Sequence, residues 1–160
     1  MTDFVERFGG IYEHSPWVAA EAELLLGAED DMERLAAVMA DCVDNASSEK
    51  QLALIRAHPD LAGRAQVAAE LTAESALEQS SAGLDQCSEE EWSRFQALND
   101  AYWERFGFPF VMAVRDSSRA EILDAFESRL HNDRALEFET ALQEIHRIAR
   151  LRLAAMAEPA

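Results

Sequence analysis

Apolar residues recur three and four apart along nearly the whole chain, which is the spacing of one face of a helix. The series from about Trp17 to Leu26 predicts one helix, with Ser15 as N-cap, Pro16 in the first turn and Gly27 as stop. A second begins at Asp30 or Asp31 and carries Leu35, Val38, Met39 and Val43. Ser48-x-x-Gln51 has the form of a capping box. It opens a helix through Leu52, Leu54 and Ile55 that ends at His58, because the residue before a proline is pushed out of the α region. Asp60 caps a segment over roughly 61–71, and Thr72 starts a helix that runs to Gly83. Ser88-x-x-Glu91 opens a helix bearing Trp92, Phe95, Leu98, Tyr102 and Phe106, which Gly107 stops. Ser118-x-x-Glu121 opens another with Ile122, Leu123, Phe126 and Leu130. Asn132 or Asp133 caps the last, along Leu136, Leu142, Ile145, Ile148, Leu151 and Leu153.

Two-residue alternation is nearly absent. The one candidate strand, Phe108 to Arg115, contains Pro109 and therefore reads as an extended connector between helices. Its backbone groups must still be satisfied, so its N–H and C=O groups are available to a ligand if it lines a pocket. The expectation is an all-α fold, a single domain over 1–160 built as a bundle of about eight helices. A chain of 160 residues is long enough to bury a real core.

Charge changes the picture next. Thirty-one acidic residues against 14 basic ones leave a formal charge of −17. That disfavours nucleic acid or an anionic membrane as partner, since both need a basic surface. It also means that an anionic substrate must be captured by a local arginine or helix N-terminus. Two cysteines, Cys42 and Cys87, without a CxxC pair, fit a reduced compartment. The longest apolar run, Phe108 to Val114, is far short of a membrane span, and no signal peptide opens the chain. A cytoplasmic protein is expected.

Few positions carry chemistry. His58, at a forced helix end, has an imidazole suited to proton transfer near neutral pH; the plainer reading of His58-Pro59 is a helix stop. Ser75, Glu78 and Gln79 are three and four apart, so all three can share one helical face. That face is either solvated or a polar wall for a small polar ligand, with Glu78 polarising His58 or relaying a proton. Arg152, beside Arg147 and Arg150, either offsets the dipole of the last helix or grips a carboxylate with its planar fork. His14, His58, His131 and His146 are scattered, with no metal-ligand spacing. A phosphate-cradling glycine loop and a GxSxG elbow are absent.

Several segments, taken in order, carry a more specific signal. They are Phe8-Gly9-Gly10-Ile11-Tyr12-Glu13-His14-Ser15-Pro16-Trp17, His58-Pro59-Asp60-Leu61-Ala62-Gly63-Arg64, Leu71 to Ser75, Glu78-Gln79-Ser80-Ser81-Ala82-Gly83-Leu84, Leu98 to Tyr102, Arg105 to Phe110 and Ile148 to Leu153. Each alone is weak; together their order and spacing resemble the 2-oxo-4-hydroxy-4-carboxy-5-ureidoimidazoline (OHCU) decarboxylase family over almost the whole chain. The resemblance implies an all-helical homodimer that needs no cofactor and forms (S)-allantoin in urate breakdown. It implies a catalytic proton donor at His58 and a catalytic helper at Glu78. It places substrate contacts on Pro59, on Ser75, Ala76, Leu77, Glu78 and Gln79, and on Phe110, Val111, Met112, Ala113 and Val114, and puts Arg152 on the anionic part of the substrate. On the residues alone, a lyase or hydrolase acting on a related ureide, or a non-catalytic acidic interaction module, stays open.

Overall fold

Hydroxyl and carboxylate caps set most of the helix starts. The computed structural model describes residues 3–26, 32–58, 61, 72–84, 87–115 and 117–157. Among these are eight helices and no strand: α1 (Asp3–Phe8), α2 (Trp17–Leu26), α3 (Met32–Asp44), α4 (Ser48–Arg56), α5 (Ala73–Ser81), α6 (Glu89–Phe106), α7 (Arg119–Arg129) and α8 (Arg134–Ala157). The capping boxes of α6 and α7 form as expected, Ser88 with Glu91 and Ser118 with Glu121. Thr72 accepts from the Ser75 N–H to start α5. At α8 the choice between two candidate caps falls to Asp133, whose Oδ1 accepts from Leu136 N at 2.8 Å.

Other local expectations shift. The cap of α4 is Ser47, one residue early, accepting from Lys50 N, and Gln51 instead donates to the carbonyl of Val43 at 2.9 Å. Helix α4 closes at Arg56, with Ala57 still in the right-handed region, so His58 lies just past the end rather than on it. The Ser15 hydroxyl donates to the Glu13 carbonyl, and α2 begins at Trp17 as expected. Helix α1 has no counterpart in the periodicity, because six residues are too few to show one. The expected 61–71 helix lies outside the described residues except for Leu61, which sits in a turn. Gly107 ends α6 in the left-handed region at φ 77°, where a Cβ is costly.

The chain forms two compact units, Met1–Ala57 with Ile145–Ala160, and His58–Glu144. In the first, Val18, Ala19 and Ala22 of α2 are fully buried along with Met39 and Val43 of α3 and Ile55 of α4. The second has an aromatic core. Phe110 stacks on Phe126 with centroids 3.9 Å apart and planes 9° apart, and Tyr102 meets Phe108, Phe110 and Phe126 edge-on. This core fixes the expected connector: Phe108, Phe110, Val111, Ala113 and Val114 are all buried.

Two predictions follow from the second unit. Phe126→Ala removes a fully buried ring and is expected to cost about 3–5 kcal/mol, read as a lower urea midpoint. Glu91 accepts from Ser88 N and Arg119 Nε, and these bonds, the Ser88 backbone bond first, hold its carboxyl below the usual carboxylate range. A lowered folded value stabilises above the ordinary carboxylate pKa and is lost as pH falls through the folded value. Glu91→Gln should therefore destabilise the protein at pH 7, and the gap to wild type in chemical denaturation should close in acid.

Candidate active site

Helix α5 builds a polar buried stripe from its own periodicity. Ser75 and Gln79, four apart, are buried, while Glu78 is half-buried at the edge of that stripe. Ala76 and Leu77 face solvent, Leu77 at 71% exposure. The predicted polar face of Ser75, Glu78 and Gln79 is therefore formed, but its apolar neighbours belong to the opposite side of the helix. A polar stripe against a protein interior is stable only if it is hydrogen-bonded.

His58 belongs to the same unit and is buried, 8% exposed. Pro59 lies outside the described residues. The carbonyl of Leu61 accepts from the buried Asn99 side chain at 3.0 Å. Asn99 was not singled out by its chemistry, although a buried amide on an apolar helical face is a signal that pattern reading could have used.

The connector 110–114 is clamped more tightly than its sequence suggests. The Val111 carbonyl accepts from Arg129 Nη1 at 2.7 Å, the Ala113 N–H donates to Glu144 at 3.1 Å, and the Val114 carbonyl accepts from Ser117 N. These three backbone groups, expected to be available to a ligand, are engaged within the chain. An irregular buried segment has no helical bonds of its own, so side chains of α7 and α8 satisfy it.

Arg152 lies in the other unit and is 5% exposed. Its Nη2 donates to Glu13 Oε2 at 3.3 Å, and its Nη1 to the carbonyls of Gly10 and Ile11 at 3.1 and 3.4 Å. A surface dipole-neutralising role is thereby excluded: this is a buried ion pair, and Glu13 is fully buried too. Close by in sequence, the Asp44 carboxylate accepts from His146 Nε2 at 2.9 Å, and His146 Nδ1 pairs with the Tyr12 hydroxyl at 2.7 Å. Burial first, and Asp44 second, push the Tyr12 phenol up, so it stays a donor. Glu13 and Tyr12 fell within a quoted segment but carried no periodic signal, which is why their roles were missed.

Cavities formed by the described residues of the same unit include two open ones of about 580 Å3 each. One is bordered by Leu24, Leu25 and Cys42, the other by Ala36, Ala40 and Leu153. Neither is lined by a site residue expected from the sequence. Among the described residues no three His, Cys, Asp or Glu side chains are grouped as a metal ion requires, and no helix is long and apolar enough to cross a membrane.

Comparison with known proteins then decides the family, because the model of OHCU decarboxylase matches residues 1–154. The chain belongs to the OHCU decarboxylase family. Its relatives include the 2-oxo-4-hydroxy-4-carboxy-5-ureidoimidazoline decarboxylase of Haloferax volcanii, 50% identical over 94% of this chain and 87% of the relative. The protein of the same name from Halalkalicoccus jeotgali is 46% identical over 98% of this chain and 86% of the relative. A crystal structure of (S)-allantoin synthase superposes with a TM-score of 0.75 at 32% identity, covering 94% of this chain and 48% of that one. A structure of OHCU decarboxylase in the presence of (S)-allantoin shares the fold, with a TM-score of 0.70 at 23% identity over 88% of this chain and 89% of that one.

The buried Glu13–Arg152 pair is a stability element of its unit. Glu13→Ala leaves a buried guanidinium without its counter-charge and is expected to destabilise by about 3–5 kcal/mol in urea unfolding, whereas Glu13→Gln, which keeps the acceptor, should cost less.

Proposed function

We propose that this protein is the carboxy-lyase that converts 2-oxo-4-hydroxy-4-carboxy-5-ureidoimidazoline to (S)-allantoin in urate degradation, without a cofactor. The family match across residues 1–154 carries this reading, and 50% identity to the Haloferax volcanii decarboxylase supports the reaction. Residues 1–160 act as one decarboxylase domain. The enzyme is a homodimer, as the family resemblance implies, and cytoplasmic, as its cysteine usage suggests.

His58 is the proton donor. Its place just beyond a helix end, in the interior and ahead of Pro59, holds the ring by its backbone. Glu78, half-buried beside Ser75 and Gln79, is the catalytic helper, polarising His58 or relaying a proton. Ser75, Ala76, Leu77, Glu78 and Gln79 and the connector Phe110 to Val114 supply substrate contacts, the connector mainly through backbone groups other than those already bonded within the chain, and Pro59 completes the set. Arg152 takes the anionic part of the substrate, sharing its guanidinium with Glu13.

In the reaction the bond from ring carbon to carboxylate breaks and CO2 leaves. The electron pair left on carbon spreads into the adjacent imine or carbonyl system of the substrate, so no separate electron sink is required. His58 then delivers a proton to that carbon from one face, and a single enantiomer results. The unassisted reaction protonates both faces and gives a racemate.

Circular dichroism of allantoin formed from urate by uricase and hydroxyisourate hydrolase, with and without this protein, tests the proposal. A rapid, persistent optical signal is expected. It should disappear in His58→Asn, while that variant still binds allantoin. A flat trace from folded wild-type protein would refute the decarboxylase reading, and full activity in His58→Asn would refute the role of His58.

A further inference from the structure

The connector's conformation depends on one arginine. Arg129 Nη1 donates to the Val111 carbonyl at 2.7 Å, and its guanidinium lies 4.3 Å from the centroid of the Phe110 ring. Phe126 stacks on the same ring at 3.9 Å. Two groups this close to one centroid must occupy opposite faces, so Phe110 is held between them. Arg129 is itself fixed, because its Nε donates to Glu137 Oε1 at 2.8 Å. Glu137 is fully buried and also accepts from Tyr102 Oη at 2.5 Å and from Asn132 Nδ2 at 2.9 Å. Donors from α6, α7 and the turn before α8 thus converge on the Glu137 carboxylate of α8, and Arg129 carries that anchor to the Val111 carbonyl and the Phe110 ring.

We propose that Arg129, anchored by Glu137, is a positioning residue for the decarboxylation: it sets the backbone conformation in which the connector 110–114 meets the substrate. The inference rests on the assignment of that connector as a substrate contact. Its physical basis is that an extended segment has no helical hydrogen bonds to define its shape. Side-chain anchors must define it, and here they are the Arg129 bond to Val111 and the Glu144 bond to Ala113 N. A buried charge pair is a poor source of stability compared with apolar packing, whereas a planar fork can hold a carboxylate, a carbonyl and a ring face at once.

Arg129→Lys separates positioning from mere stability. A lysine keeps the charge beside Glu137 but cannot also reach Val111 and cover Phe110. Cooperative unfolding should persist, with KM for the ureidoimidazoline raised about tenfold and kcat within about threefold of wild type. A purely structural role would reduce the amount of folded enzyme, lowering apparent kcat at unchanged KM, and that result overturns the proposal. Should Arg129→Lys fail to fold, Glu137→Gln keeps an acceptor oxygen, drops the charge and carries the same expectation of a raised KM; an unchanged KM there overturns it equally. Wild-type protein that forms no optically active allantoin would refute the decarboxylase reading itself, and is distinguished because it needs no variant.

Discussion

The carboxylate of Glu137 is the point on which the second unit depends. It is fully buried, and three donors reach it: the Tyr102 hydroxyl, the Arg129 guanidinium and the Asn132 amide. A buried carboxylate with fewer partners would be costly enough to rearrange the structure around it. With these partners it joins the end of α6, the end of α7 and the start of α8, and through Arg129 it holds the connector between them. Burial, then the bond to Glu137, pushes the Tyr102 phenol well up, so the hydroxyl remains a donor at any ordinary pH. The aromatic cluster of Tyr102, Phe108, Phe110 and Phe126 packs around this polar centre.

A second buried arginine–carboxylate pair, Arg152 with Glu13, plays a comparable part in the other unit. There the guanidinium gathers the irregular chain between α1 and α2 by bonding to the carbonyls of Gly10 and Ile11. In a chain of formal charge −17, arginines are scarce relative to carboxylates, and these two are spent on irregular backbone rather than on the surface. Irregular segments are where a fold leaves peptide groups unpaired, and arginine has enough donors to satisfy several of them. Glycine serves a matching purpose at Gly83, whose φ is +78° and whose carbonyl accepts from Arg119 at 2.8 Å; a Cβ there would come within 2.8 Å of the same nitrogen.

The helices were legible in the sequence because their determinants are local. A Ser or Asp cap, a Glu three residues on and an apolar period act over one or two turns, so α2, α3, α5, α6, α7 and α8 could be placed from pattern alone, as could the extended connector after Gly107 and the family to which the ordered segments belong. The buried polar stripe of Ser75 and Gln79 was half legible: spacing put them on one face, but only packing decided that this face turns inward while Leu77 turns out. What no local pattern contained were the pairings across long separations, Arg152 with Glu13, Arg129 with Val111 and Glu137, His146 with Tyr12 and Asp44. A charged residue in a sequence carries no mark of whether it will meet water or a partner. That is decided when helices pack and bury it, since desolvation then forces each charge and each stray carbonyl to find the nearest complementary group.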